Sequence, residues 1–366
     1  MIGERLVQLP AGRMYLGEHT IRRRLGAEAS RLGKSAVVLT DETVWPKAAD
    51  EVTAALDQAG LKWELLFHTG HCCPGAYGKV RDHAGQMNAD MIIGIGGGRL
   101  LDTAKIAADQ AKICCVTVPS SAATCAASAW LSVEYSDEGD FGGNYWTEYP
   151  PFCTIIDTGL IVKRCPARLN MAGVVDAMAK YPEIGYNLKY TENFSKNAFS
   201  EVAAELAEKT YGFFSVHFKE LMEKFRLGVV DDMVEDAAAK AIAVTGLVSS
   251  LACGGKQAAV AHLIYSYICC HHPRIAGRYL HGEIVGASLC YQIVVDGWDI
   301  CETEKFRRLL CDAGMPACLA ELGLPADAAE QERIFAFLKK GMDLSREETE
   351  RLRDPRNIGW LFEGRQ

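Results

Sequence analysis

The first third of the chain alternates short apolar runs with longer amphipathic stretches. The apolar runs are SAVVLT at 35–40, KWELLF at 62–67, MIIGIG at 91–96 and CCVTVP at 114–119, and the stretches between them have helical spacing. Strands that alternate with helices form a parallel sheet with helices on both faces. The N-terminal part of the chain is therefore predicted to be an α/β domain.

The pattern changes after about residue 160. Long helical stretches replace the alternation, and few strand signals remain. The chain has 366 residues and 49% hydrophobic composition, which suffices for two domains with separate cores. We predict an α/β domain over residues 1–160 and an all-helical domain over residues 161–366, with the boundary near the turn Asp157-Thr158-Gly159.

Charge and hydropathy argue against nucleic-acid and membrane partners. The net charge is −8, from 47 acidic and 39 basic side chains, and no long basic run is present. No stretch reaches the roughly 18 uncharged apolar residues of a membrane span. The first residues lack a basic region followed by an apolar run, so we expect no secretory signal.

The cysteine pattern favours a reducing compartment. Three pairs among the fourteen cysteines are adjacent in sequence, most of the others lie in apolar segments, and no CxxC pattern occurs. Together with the expected lack of a secretory signal, this pattern predicts a cytoplasmic protein.

A glycine-rich loop follows the run at 91–96 and precedes a helical stretch. It contains Gly94, Gly96, Gly97 and Gly98. Glycines at a strand-to-helix turn let backbone N–H groups approach a pyrophosphate, and the helix N-terminus adds a favourable partial charge. The spacing differs from GxGxxG, so a tight turn without a ligand is the alternative.

An acidic residue, Asp41, directly follows the strand at 35–40. A carboxylate there can accept hydrogen bonds from the adenosine ribose and would repel a 2'-phosphate, which favours NAD over NADP. Aspartate is also a strong helix N-cap, and this alternative is compatible with the first.

Two histidines and one aspartate are candidates for a metal site: His262, His281 and Asp176. Imidazole and carboxylate ligands suit zinc or ferrous iron, and three protein ligands leave one position open for a substrate oxygen. The alternative is that each histidine is a hydrogen-bonded residue of an apolar helix.

Four motifs in order resemble the iron-containing alcohol dehydrogenase superfamily, and within it the glycerol dehydrogenase-like branch. They are GIGGGRLLDTAK, VPSSAATCAASAWLSVEY, GVVDAMAKYPE and AHLIYSYICCHHPRIAGRYLHGEIVG. The resemblance covers most of the chain. It implies a dehydroquinate synthase-like fold, with an α/β dinucleotide-binding domain, an all-α C-terminal domain and the active site in the cleft between them. It also implies a homo-oligomer.

Site residues follow from the resemblance by motif position. The implied metal ligands are Asp176, His262 and His281. The implied dinucleotide-binding residues are Asp41, Gly97, Gly98, Arg99, Asp102, Ser120, Leu131 and Tyr135.

Three positions depart from family patterns. Members that oxidise glycerol have an aspartate after the threonine of the second motif, where this chain has Cys125. The iron-dependent branch has a further histidine ligand where this chain has Lys180, which favours zinc over iron. A third position, often histidine in the zinc-type branch, is Tyr265.

The resemblance implies a metal-dependent, NAD(H)-linked dehydrogenase of a small alcohol, polyol or 2-hydroxy acid. Cys125 and the stretch GHCCPG are similar to a subgroup that reduces 2-oxo acids, and loss of a negative charge there would make a substrate carboxylate more tolerable. Cys125 is therefore a candidate catalytic-site residue. The alternatives are a lyase resembling dehydroquinate synthase and a nucleotide-binding protein without turnover.

Overall fold

The computed structural model of the protein describes residues 12–191, 196–252, 258–342 and 344–364. Contacts between Cα atoms group the chain into two compact units. The first unit comprises Met1–Asn170 and Lys224–Ser250, and the second comprises Met171–Glu223 and Leu251–Gln366. The domain division after residue 160 stays a prediction, and the first contact-based unit additionally contains the segment Lys224–Ser250.

The strands of the described residues all lie in the first unit. They are β1 (Met14–Gly17), β2 (Ser35–Thr40), β3 (Lys62–Phe67), β4 (Met91–Gly96), β5 (Cys114–Pro119), β6 (Leu131–Tyr135), β7 (Phe141–Trp146) and β8 (Cys153–Asp157). Six strands form a parallel sheet in the order β1-β8-β5-β4-β2-β3, and β6 pairs antiparallel with β7. The parallel sheet predicted from the alternating pattern is confirmed.

The four predicted strands coincide with β2, β3, β4 and β5 in both bounds. The strand β1, which has only four residues, and the β6–β7 hairpin, whose strands carry several polar residues, were not predicted. Nor was β8 predicted, a buried run of CTIID that pairs with both β1 and β5.

Four helices connect the strands of the sheet. They are α1 (Thr20–Ala29), α2 (Trp45–Gln58), α3 (Pro74–Met87) and α4 (Gly98–Ala111). Every residue of β4 and β8 is buried, whereas β3 at the sheet edge has none fully buried. Strands covered by helices on both faces are expected to be apolar along their whole length, as these inner strands are.

Helices make up the rest of the chain, and no strand follows β8 in the described ranges. Two short π-helical segments occur at Gly159–Lys163 and Lys240–Val244. The helices are α5 (Ala167–Tyr190), α6 (Ala198–Leu227), α7 (Asp232–Ala239), α8 (Thr245–Leu251), α9 (Val260–His271), α10 (Pro273–Arg278), α11 (His281–Val295), α12 (Ile300–Asp312), α13 (Leu319–Leu322), α14 (Ala328–Gly341), α15 (Arg346–Leu352) and α16 (Pro355–Phe362). The predicted helical character after residue 160 is confirmed. In the part of the chain that the structure describes, no helix is long and apolar enough to cross a membrane.

Candidate metal centre and nucleotide loop

Three helices of the second unit bring Asp176, His262 and His281 together. Asp176 lies on α5, His262 in the first turn of α9, and His281 is the first residue of α11. The Asp176 Oδ1 atom lies 3.1 Å from Nε2 of His262 and 3.1 Å from Nε2 of His281. One ligand atom from each residue lies within 4.8 Å of the others, a spacing suited to one metal ion. The structure thus brings together the three residues that the sequence singled out.

Two glycines set the position of His281. A Cβ atom on Gly282 would lie 1.8 Å from the Ala172 carbonyl oxygen of α5, and one on Gly286 would lie 2.8 Å from a Val175 methyl group. The missing side chains at these positions, one turn apart, allow α11 to approach the α5 backbone. His281 precedes Gly282 directly, so this close approach places its imidazole beside Asp176.

Glu183 orients His262 through the ring nitrogen that does not face Asp176. The Glu183 side chain is fully buried, and its Oε2 atom lies 2.5 Å from His262 Nδ1. Its Oε1 atom accepts hydrogen bonds from the backbone N–H groups of Ala259 and His262, at 3.0 and 2.9 Å. Glu183 therefore satisfies N–H groups at the start of α9 that have no partner within the helix, and it orients the imidazole as carboxylates do in metal sites.

Lys180 also reaches the cluster. Its side chain is 7% exposed, and its Nζ atom lies 3.0 Å from His262 Nε2 and 3.5 Å from Asp176 Oδ1. An ammonium group has only donors, so the contact with His262 requires a lone pair on Nε2. This arrangement is consistent with the imidazole proton on Nδ1, where it is donated to Glu183.

The charges of the cluster shift its pKa values. Burial raises the pKa of Asp176, but the Lys180 ammonium and the two imidazoles outweigh it and hold that pKa well below its ordinary value. Burial lowers the pKa of His281 despite the nearby Asp176. Burial likewise opposes ionisation of Glu183, but His262 outweighs it and the carboxyl pKa is lowered. Burial also lowers the pKa of His262, but the Glu183 and Asp176 carboxylates outweigh it and raise that pKa. The site thus supplies an ionised carboxylate at Asp176 and favours a neutral imidazole at His281, as metal ligands require.

These donors fit a divalent metal. The Asp176 oxygen lies close to the Nε2 atoms of both histidines. If the His262 proton is on Nδ1, its Nε2 atom and the Asp176 oxygen face one another without a proton between them. The Lys180 ammonium contacts both atoms, and a metal ion is a second kind of cation that relieves such a contact between two acceptors. One oxygen and two nitrogens are a typical zinc or ferrous-iron set with an open position.

In the first unit, the glycine loop connects β4 to α4. Gly94 and Gly96 serve packing, because a Cβ atom on them would lie 2.7 Å from Ala104 Cβ and 2.9 Å from a Leu100 methyl group. Gly97 is the N-cap of α4, and a Cβ there would meet nothing within 4 Å. The open space at Gly97 lies at a helix N-terminus, where backbone N–H groups attract an anion.

Asp41 stabilises the turn that follows β2. Its Oδ1 atom accepts hydrogen bonds from the backbone N–H groups of Thr43 and Val44, each at 2.8 Å. The N-cap of α2 is Val44, without a side-chain cap hydrogen bond, so the prediction that Asp41 is the N-cap is wrong and Asp41 instead closes the turn before the helix. Its carboxylate is partly exposed, so contact with a ribose stays a prediction.

The other predicted nucleotide residues occupy different environments. Arg99 is exposed, and its guanidinium carbon lies 5.9 Å from the ring centre of Tyr135 on β6. Ser120 follows β5 and its N–H donates to the Gly96 carbonyl, while the Leu131 carbonyl accepts from Lys105. Gly98 lies at the start of α4, where its Cβ would be 3.0 Å from Thr124 Oγ1.

Asp102 is bound by groups of the protein itself. It is 5% exposed, forms an ion pair of 2.9 Å with Lys105, and accepts a hydrogen bond of 3.2 Å from the Val133 N–H. Burial raises its pKa even though Lys105 opposes this effect. Asp102 thus ties α4 to β6, and its contact with a cofactor stays a prediction.

Cys125 lies in the turn between β5 and β6. Its carbonyl accepts hydrogen bonds from the N–H groups of Ser128 and Ala129. The Ser128 hydroxyl donates to the Ile242 carbonyl at 2.6 Å, within the π-helical segment of the same unit. The turn that carries Cys125 is therefore anchored on a second element.

Glu183 and Gly282 were not among the predicted site residues, and Lys180 was interpreted only as the replacement of a ligand. Lys180 and Glu183 follow Asp176 by four and seven positions, so helical spacing places all three on one face of α5. That spacing was a usable signal. No sequence signal marks Gly282, because its role depends on the Ala172 backbone of another helix.

The sequence and the fold are both similar to those of known alcohol and glycerol dehydrogenases. Residues 11–157 match the family model "Iron-containing alcohol dehydrogenase". The chain is 29% identical to a glycerol dehydrogenase of Pseudomonas putida, covering 92% of this chain and 90% of that protein. It is 30% identical to a glycerol dehydrogenase of Escherichia coli O6:H1, covering 91% and 89%. The crystal structure of glycerol dehydrogenase from Schizosaccharomyces pombe has a similar fold, with a TM-score of 0.83, 23% identity, and coverage of 96% and 90%.

Proposed function

Because the chain belongs to the iron-containing alcohol dehydrogenase family, in its glycerol dehydrogenase-like branch, we propose that it interconverts a small 2-hydroxy acid and its 2-oxo acid. The family makes the chain an alcohol oxidoreductase, and it implies NAD(H) and a divalent metal as cofactors. The convergence of Asp176, His262 and His281 supports a metal-dependent dehydrogenase, and Cys125 supports the choice of a 2-oxo acid.

In this proposal, Asp176, His262 and His281 hold the metal, with zinc favoured over iron. A metal held there would supply Lewis-acid polarisation of the substrate oxygen, and a bound nicotinamide would supply the hydride chemistry. Glu183 keeps the Nε2 lone pair of His262 directed at the ligand cluster. The chain thus contributes a preformed set of ligands and holds the proton of His262 on Nδ1.

The glycine loop and Asp41 would bind the dinucleotide. Gly97 offers an open backbone at the N-terminus of α4, where a pyrophosphate is favoured. The Asp41 carboxylate would accept hydrogen bonds from the ribose and disfavour NADP through charge repulsion. Arg99, beside Tyr135, adds a positive charge at an exposed position. Asp102, Ser120, Leu131 and Tyr135 complete the proposed nucleotide-binding set.

Cys125 supports the choice of a 2-oxo acid over a polyol. A thiol cannot replace the two acceptor oxygens with which a carboxylate would hold neighbouring hydroxyl groups. A neutral side chain at this position also removes a repulsion that a substrate carboxylate would experience. Cytoplasmic location and homo-oligomeric assembly stay predictions.

A paired substrate panel tests the proposal. Metal-loaded protein is assayed for NADH oxidation with 2-oxobutyrate and related 2-oxo acids, and in parallel with dihydroxyacetone and small aldehydes, each with an EDTA control. We expect the higher kcat/KM on the acids. A preference for dihydroxyacetone would refute the acid assignment and leave the dehydrogenase assignment intact.

A variant pair then tests Cys125. We expect Cys125→Asp to shift the ratio of kcat/KM values toward dihydroxyacetone. The control is Cys301→Asp, which introduces the same charge at an exposed position on α12. A Cys125→Asp variant with an unchanged ratio would remove the proposed role of this residue.

A further inference from the structure

We propose that Lys180 is a specificity-determining residue. Its ammonium group lowers the affinity of the site for its metal. It also gives the metal-loaded site a net positive charge, which an anionic substrate neutralises. This inference rests on the proposed dehydrogenase function. It starts from the position of Lys180 Nζ, 3.0 Å from one implied ligand and 3.5 Å from another. The side chain is 7% exposed, so water screens its charge poorly.

The balance of buried charges carries the argument. Two carboxylates, Asp176 and Glu183, and one ammonium group, Lys180, are buried around the imidazoles of the cluster. With neutral imidazoles, this set has a net charge of minus one. A divalent metal changes the net charge to plus one, and a substrate monoanion brings it to zero. A neutral polyol leaves the net charge of this set at plus one, which is unfavourable in a poorly solvated site.

The position of Lys180 also weakens metal binding. The ammonium group contacts the same Asp176 and His262 atoms that a metal needs, so the two cations compete for these donors and repel one another. Arginine would keep the charge at this position, whereas methionine would keep much of the volume and remove the charge. These two substitutions separate charge from packing.

The ligand class that follows is a small carboxylate. Asp176, Lys180 and Glu183 lie on one face of α5 at spacings of four and three residues, so one helix holds the positive charge beside the metal ligands. Cys125, a residue of the first unit, favours the same ligand class for a different reason. Lys180 adds a positive charge and Cys125 lacks a negative one, so each residue favours the carboxylate independently.

The first experiment measures metal affinity without turnover. Apoprotein is titrated with Zn²⁺ against a chromophoric chelator for wild type, Lys180→Met and Lys180→Arg, after circular dichroism has shown that each is folded. We expect Lys180→Met to bind Zn²⁺ at least about tenfold more tightly than wild type, and Lys180→Arg to remain within about threefold. Equal Zn²⁺ affinity of wild type and Lys180→Met would overturn the proposal.

The second experiment measures the substrate preference. Each protein, saturated with Zn²⁺, is assayed with NADH and 2-oxobutyrate, and with NADH and the neutral hydroxyacetone. We expect Lys180→Met to raise KM for 2-oxobutyrate at least about tenfold, with KM for hydroxyacetone within about threefold, and Lys180→Arg to restore most of the difference. A parallel change in both KM values would overturn the anion assignment.

The two experiments distinguish failure of this inference from failure of the proposed function. A wild-type protein that is inactive on both substrates would contradict the dehydrogenase proposal, while the Zn²⁺ titration would still test the charge of Lys180. An active wild type with unchanged preference in Lys180→Met would refute this inference alone.

Discussion

Replacing Gly282 by alanine is expected to separate the metal ligands. The new Cβ would lie 1.8 Å from the Ala172 carbonyl oxygen, and Cβ contacts under 3.0 Å essentially never occur, so α11 and α5 must move apart by at least 1.2 Å. Metal sites tolerate ligand displacements of about 0.2 Å. The required movement is several times larger, and it acts directly on His281, the preceding residue.

Two free energies oppose one another in this variant. Overpacking against a backbone atom costs about 1–3 kcal/mol, whereas alanine in a helix gains up to about 1 kcal/mol over glycine. We expect Gly282→Ala to lower the free energy of unfolding by about 1–2 kcal/mol. Because His281 would leave the ligand set, we expect Zn²⁺ affinity to fall at least about 100-fold, beyond the usual effect of losing a residue that only supports a ligand.

The measurement is a Zn²⁺ titration of the apoprotein against a chelator, together with thermal denaturation. The matched control is Gly277→Ala on α10, where an added Cβ meets nothing within 4 Å. We expect the control to bind Zn²⁺ like wild type and to be slightly more stable. A Gly282→Ala variant that binds Zn²⁺ within threefold of wild type would refute the link between helix approach and ligand geometry.

Three further predictions concern separate parts of the molecule. Glu183→Gln should lower Zn²⁺ affinity about 10–100-fold in the chelator assay, because it weakens the carboxylate contact with His262 Nδ1; unchanged affinity would contradict that role. Gly97→Ala should weaken NADH binding, measured by fluorescence titration, without lowering Tm. Gly94→Ala should lower Tm, because a Cβ at Gly94 clashes and one at Gly97 does not. Equal losses of Tm in the two variants would refute this distinction. The hydrogen bond from Arg307 lowers the pKa of Glu304 to about 2. Glu304 should therefore stabilise the protein above pH 4.5 and lose this effect as the pH falls toward 2. We therefore expect Glu304→Gln to lower the free energy of unfolding by about 1 kcal/mol at pH 7, a value discounted for the partial exposure of Glu304, and by much less near pH 2. Thermal denaturation at both pH values measures this difference. An equal loss at both would contradict an electrostatic origin.

Local patterns predicted the regular part of the fold well. The bounds of β2 and β4 were readable because buried parallel strands are continuous apolar runs, and helices between them have amphipathic spacing. The strands β1 and β8 escaped prediction, since their pairing joins residues about 140 positions apart. Strand pairing at that distance leaves little trace in local sequence.

The candidate site shows the same division between local and long-range information. Residue types and motif order identified Asp176, His262 and His281, because imidazole and carboxylate chemistry belongs to single side chains. The sequence by itself thus determined which donors the protein has and the helix face that Asp176 shares with Lys180 and Glu183. Only the tertiary structure decided that the three donors meet and that Lys180 lies among them. The physical reason is that these positions depend on the close approach of separate helices, which is set by backbone contacts such as that of Gly282 with α5.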